Sequence, residues 1–131
     1  MKIEVSSALR YEDLLNGKDV MILEPFEVII DGESVVVPAG FVSDLASVPI
    51  PFRALFPRFG PWNASAIVHD FLYVKGEIFG RPITQRFADL VFLRMMRANP
   101  RVGRHRAYPM YIGVRLGGYW IWRRNRRNER R

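Results

Sequence analysis

Hydrophobic and polar positions change rhythm along this chain, and the changes mark its elements. Val20-Met21-Ile22-Leu23 is apolar, Pro25 interrupts it, and Phe26-Glu27-Val28-Ile29-Ile30 resumes with strand character. Asp31-Gly32 is a two-residue hairpin signal, and Ser34-Val35-Val36-Val37 reads as the return strand, ended by Pro38-Ala39-Gly40. Residues 20–37 are therefore expected to form a small antiparallel sheet. Residues 1–19 are polar without a clear period. Ala8 to Leu15 has room for a helical turn or two, and Asn16-Gly17-Lys18-Asp19 reads as a turn.

Beyond Gly40 the pattern becomes irregular, then helical. Ser43 or Asp44 suits the cap of a short helix that Pro49 stops. Pro51, Pro57, Gly60 and Pro61 enforce a compact loop, to which Phe52, Leu55, Phe56, Phe59 and Trp62 give apolar anchors. Asn63 or Ser65 is placed to cap a helix over about 64–74. Lys75-Gly76-Glu77 and Gly80-Arg81-Pro82 punctuate a loop. Thr84 then caps a helix over about 85–98, which Asn99-Pro100 ends. A third helix is expected from Arg104 to about Arg123, starting or kinked at Pro109. The fold class is α+β: an N-terminal antiparallel hairpin sheet, a long ordered loop and about three helices. One globular domain spans 1–122, and 123–131 is an arginine-rich, solvated tail.

Composition narrows the classes. A chain of 131 residues with 49% hydrophobic content suits one domain with its own core. It has no cysteine, which removes disulfides and thiolate metal sites and fits a reducing cytoplasm or a virion assembled there. Met1-Lys2-Ile3-Glu4-Val5 turns charged at once, unlike a signal peptide. Tyr108–Trp122 is apolar and aromatic, but it is too short to span a bilayer and Arg115 interrupts it. It reads as a core helix, or else as one lying on a membrane surface or docking a partner.

The net charge of +7 is unevenly placed. From Arg97 onward there are 11 arginines and one acid, Glu129, whereas the first 96 residues hold 9 Lys+Arg against 12 Asp+Glu. The basic character belongs to the C-terminal region, which is not the distribution of a uniformly nucleic-acid-binding fold. Contact of its basic clusters with phosphates is the nucleic-acid reading, and it implies salt-sensitive, non-specific affinity.

The candidate chemistry sits in Ala66-Ile67-Val68-His69-Asp70-Phe71-Leu72-Tyr73. His69 and Tyr73 are four apart and share a helix face, while Asp70 points about 100° away. Asp89 on the next helix is placed to cross to His69 or Tyr73 if the two helices pack antiparallel. A carboxylate on one imidazole nitrogen fixes the tautomer and frees the other nitrogen to activate water. Asp70, with loop carbonyls and Asp44, offers oxygen ligands suited to calcium. Zinc is less suited, because the chain has two histidines and His105 lies in the arginine-rich region. The alternative is a satisfied polar core in which Asp44, His69, Tyr73 and Asp89 only fix geometry, and a third possibility is that the positions are exposed and unrelated. No nucleophile-elbow pattern surrounds Ser43 or Ser47.

The His69-Asp70-x-x-Tyr73 helix, followed by a helix bearing Asp89, resembles the helix pair of secreted calcium-dependent phospholipases and of the parvovirus capsid phospholipase domain. That resemblance implies His69 as base, Asp70 as calcium ligand, Asp89 as the residue orienting His69, and Tyr73 as its hydrogen-bonded support. A wider resemblance covers roughly 20–120. It rests on Val37-Pro38-Ala39-Gly40-Phe41-Val42-Ser43-Asp44-Leu45-Ala46-Ser47-Val48-Pro49, on Ala66 to Tyr73, on Ala88-Asp89-Leu90-Val91-Phe92-Leu93-Arg94-Met95-Met96, and on Tyr111-Ile112-Gly113-Val114-Arg115-Leu116-Gly117-Gly118. These runs resemble a family of small phage and prophage proteins catalogued as domain of unknown function 1353. The resemblance implies a phage origin, a place in the virion or in the host cytoplasm before assembly, and other phage structural proteins as partners. If the place is a tail or neck, a symmetric oligomer follows. It implies no settled activity, and no small-molecule cofactor is expected. The expected role is a virion- or tail-associated protein acting in host-envelope contact or degradation. The alternatives are a calcium-dependent, phospholipase-like hydrolase and non-specific nucleic-acid binding by the basic C-terminus.

Overall fold

A computed structural model describes residues 1–16, 19–44 and 60–129, with side chains through Asn128. Alternating apolar residues build the expected hairpin. Strand β4 (Phe26–Ile30) pairs antiparallel with β5 (Glu33–Val37), in the register Phe26↔Val37 and Val28↔Val35. Phe26, Val28, Ile30, Val35 and Val37 thereby share the buried face. Asp31 and Gly32 both take positive φ, 50° and 82°, as a two-residue primed turn requires.

The N-terminal segment is strand rather than helix. β1 (Ile3–Val5) extends that sheet along β4, giving the order β1-β4-β5. β2 (Tyr11–Asp13) pairs with β3 (Val20–Ile22), which also pairs with β6 (Val42–Ser43). The reason is tertiary. Val20 and Ile22 are fully buried, and pairing Tyr11 opposite Ile22 satisfies a strand that would otherwise be left at an edge. Ser43 thus ends a strand. The short helix expected after Asp44, with Ser47, Pro49 and the loop anchors Phe52 to Phe59, lies outside the described residues.

Helix α1 (Asn63–Lys75) is the central element, with buried residues on nearly every side. Neither expected residue caps it: Trp62 occupies the cap position, and its side chain makes no capping hydrogen bond. Asn63 instead accepts from the Gly60 N–H and donates to Tyr11 Oη, tying the helix start to β2. At the other end Gly76 takes the left-handed conformation, and its N–H bonds the Leu72 carbonyl. The punctuated loop that follows is a hairpin of β7 (Glu77–Ile78) and β8 (Arg81–Pro82). Helix α2 (Gln85–Ala98) starts as expected, with Thr84 Oγ1 accepting from the Phe87 N–H at 3.0 Å. Helix α3 (Arg104–Glu129) holds Pro109 in its interior and continues beyond Arg123. Arginine is a good helix former, so the loss of apolar periodicity there does not end the helix.

The three helices pack on one another and on the sheets around Ile22, Phe26, Ile67, Leu72, Phe92 and Met96, all fully buried. The described part is α+β, with small antiparallel sheets followed by three helices.

Candidate functional site

Three helices deliver side chains to one buried carboxylate. α1 contributes His69 and Tyr73 one turn apart, α2 contributes Gln85 and Asp89 one turn apart, and α3 contributes Arg115. Asp89 is fully buried. Its Oδ1 lies 2.6 Å from His69 Nε2 and accepts from Tyr73 Oη at 2.7 Å. Its Oδ2 accepts from Arg115 Nη1 at 2.8 Å. Gln85 Nε2 donates to Tyr73 Oη at 3.2 Å. An isolated carboxylate would be very costly to bury, and here donors on both oxygens and an arginine charge offset that cost.

The network fixes the state of its members. Burial, and then the hydrogen bond and charge of Asp89, push the Tyr73 phenol well above its ordinary range. It therefore stays a neutral donor to Asp89. The His69 ring packs against Tyr73 and Phe92, with centroids 4.3 and 4.9 Å away. Its Nε2 faces Asp89, while Nδ1 has no hydrogen-bond partner among the described residues.

A small cavity of about 50 Å³ lies against His69. Asp44, His69, Asp70 and Tyr73 line it, together with Gly113, Gly117 and Gly118 of α3. One water needs roughly 10–15 Å³ of such space, so water fits and a whole substrate does not. Asp70 Oδ2 accepts the Asp44 N–H at 3.2 Å, and the Ser43 side chain also bonds this carboxylate. Burial, then the nearby Asp44 charge, raise Asp70 to about 6, against these hydrogen bonds and the His69 ring.

His69, Tyr73 and Asp89 thus come together directly. Asp70 and Asp44 meet each other and share a cavity wall with His69. Ser43 is buried and turned to Asp70. His105 is exposed on the first turn of α3, away from the centre. Arg115 was the missed member. Its signal was a charge inside an apolar helix, which calls for a buried counter-charge. Calcium takes six to eight oxygens. Among the described residues no group of three or more His, Asp or Glu is placed to hold a metal ion. One Asp70 oxygen is already engaged by the Asp44 N–H. The described side chains alone do not fit a calcium ion.

The arrangement is able to hold a water beside an oriented imidazole. No helix among the described residues is long and apolar enough to cross a membrane. No curated protein and no solved structure matches the chain. Residues 20–114, which contain every described strand from β3 onward, helices α1 and α2 and the first part of α3 up to Arg115's neighbour Val114, match the family described as Protein of unknown function (DUF1353), and the chain belongs to that family.

Proposed function

We propose that the protein is a phage- or prophage-encoded hydrolase of the virion or tail, with His69 as general base. The observation that supports it best is the 2.6 Å contact between His69 Nε2 and Asp89, in a ring that lines the cavity and whose Nδ1 has no hydrogen-bond partner among the described residues. Asp89 holds the ring proton on Nε2 and favours the imidazolium that forms when Nδ1 takes a second proton. A water in the cavity would give that proton to Nδ1 as its oxygen adds to an ester carbonyl carbon. The proton then passes from Nδ1 to the departing alkoxide, leaving acid and alcohol. Tyr73 and Arg115 act through Asp89, as positioning residues. A carboxylic ester is the proposed substrate class, an envelope lipid first. That choice and the place in the virion rest on the sequence resemblances alone.

A second reading has its own support. His69 is 4% exposed and Asp89 0%, so the centre also suits a purely structural tie between three helices.

Turnover of a soluble aryl ester and of lipid vesicles separates the two readings. A hydrolase loses about 10²–10⁴-fold in His69→Gln, with its helical circular dichroism retained. Wild-type turnover no greater than buffer, or unchanged in His69→Gln, overturns the hydrolase. A fall in thermal stability without turnover leaves the structural tie.

A further inference from the structure

Helix α3 carries a second feature, independent of the His69 chemistry. Its exposed large apolar side chains are Tyr108 (40%), Ile112 (52%), Leu116 (74%), Tyr119 (44%) and Trp120 (71%). At the helical pitch these positions fall within an arc of roughly 120°. The opposite side of the helix carries buried Ala107 and Met110, and the cavity-lining Gly117 and Gly118. The outer stripe is thus not a core face. A contiguous apolar stripe of this kind on a small domain marks a contact surface.

Charge continues the stripe. Arg123 and Arg127 fall in the same arc and Arg124 lies beside it, all three exposed. Arg123 Nη1 donates to Tyr119 Oη at 2.7 Å, and its guanidinium sits 5.4 Å from that ring's centroid. The first cation is therefore fixed at the end of the aromatic run. No acidic residue occurs from Arg97 through Asn128.

We propose that this face of α3 docks onto an anionic lipid surface, with the Tyr108–Trp120 stripe at the headgroup–acyl boundary and Arg123, Arg124 and Arg127 on the phosphates. Each half of the surface excludes another partner. Duplex nucleic acid supplies phosphates but no apolar layer for Ile112 and Leu116. A second copy supplies an apolar stripe but brings the same positive charge. A bilayer with anionic headgroups supplies both, and tyrosine and tryptophan favour its boundary. No described helix is long and apolar enough to cross the bilayer, so α3 lies along the surface.

The test is cosedimentation of the full chain with vesicles of phosphatidylcholine, with and without phosphatidylglycerol. Binding is expected to need phosphatidylglycerol and to shift tryptophan emission to the blue, a shift absent in Trp120→Phe. Each of Arg123→Gln, Arg124→Gln and Arg127→Gln weakens binding about fivefold. Leu116→Asn weakens it about tenfold or more with every arginine in place. These side chains are exposed, so thermal stability serves as a control that the variants fold. Equal binding to neutral vesicles, or indifference to Leu116→Asn, overturns the proposal. So does duplex DNA that displaces the vesicles with Leu116→Asn unaffected, which assigns the arginines to nucleic acid. A dimer dissolved by Leu116→Asn in a chain that ignores vesicles overturns it in favour of self-association.

Discussion

Arg115 on α3 and Asp89 on α2 form a 2.8 Å charge-assisted bond across 26 residues of sequence. The pair couples the buried carboxylate to α3, whose neighbouring contacts around Arg115 are made by Met110 and by Gly117 and Gly118 at the cavity. Asp89 keeps two neutral or tautomer-dependent donors if Arg115 is lost, but no fixed positive charge.

Arg115→Met is therefore expected to destabilise the protein by about 2–3 kcal/mol, below the range for a fully buried pair because the Arg115 side chain is 36% exposed. Asp89→Asn removes the charge that needs the arginine. In the double variant the two losses should not add: a coupling of about 1 kcal/mol or more is expected from urea unfolding of all four proteins. Strict additivity would show that Arg115 supports Asp89 only weakly.

Asp70 gives a pH dependence with a definite sign. Its folded pKa of about 6 lies above its ordinary 3.8, so the native state holds the proton longer than the unfolded chain does. Stability is unaffected by this group below about pH 4, and it falls as pH rises toward 6. Asp70→Asn cannot ionise, and its side-chain oxygen still accepts the Asp44 N–H. The variant should match wild type near pH 3.5 and exceed it by on the order of 2–3 kcal/mol at pH 7.5. Parallel stability curves across that range would mean that Asp70 is not held as described.

The sequence made some of this legible and hid the rest for identifiable reasons. β4 and β5 announce themselves because alternation and Asp31-Gly32 agree on one hairpin. Thr84 marks α2 for the same reason, since the cap residue and the apolar spacing coincide. β1 and β2 are three residues each and owe their form to the strands they join, which no local pattern records. Asn63 looks like a cap, yet its side chain is used by Gly60 and Tyr11. The meeting of His69, Tyr73 and Asp89 follows from helical spacing plus one packing assumption. Arg115 required knowing which face of α3 turns inward, and in a helix with apolar residues on most sides the sequence does not say.

Gly118 is where α3 lets Tyr73 through. A Cβ added there would sit 2.2 Å from Tyr73 Oη, and the phenol is held by Asp89 and cannot swing away freely. Gly118→Ala is expected to cost about 1–3 kcal/mol, the range for overpacking a filled site. Tyr73→Phe in the same background should recover part of it by removing the clashing oxygen. Thermal melts of wild type and the two variants decide this, and a Gly118→Ala protein as stable as wild type would contradict the close approach.

Arg126 ties the last turns of α3 to the end of α1. Its Nη2 donates to the carbonyls of Tyr73 at 2.7 Å and Val74 at 2.9 Å, which α1's own ladder leaves unpaired. The cation also sits at the negative end of the α1 dipole and 4.4 Å from the Trp122 ring centroid. Room for the guanidinium exists because position 76 is glycine: a Cβ there would lie 1.7 Å from Arg126 Nη1. Gly76 also has φ +68°, which an alanine adopts with strain of about 1 kcal/mol. Two costs thus overlap in Gly76→Ala, and only the steric one depends on Arg126. Arg126→Ala alone should lose about 1–2 kcal/mol, chiefly from the Val74 carbonyl, because Asn125 Nδ2 still donates to the Tyr73 carbonyl at 3.1 Å. Gly76→Ala should then be milder in the Arg126→Ala background than in wild type, down to the backbone strain alone. Chemical unfolding of the four-protein cycle measures the difference, and equal costs in both backgrounds would place the Arg126 side chain away from the α1 terminus.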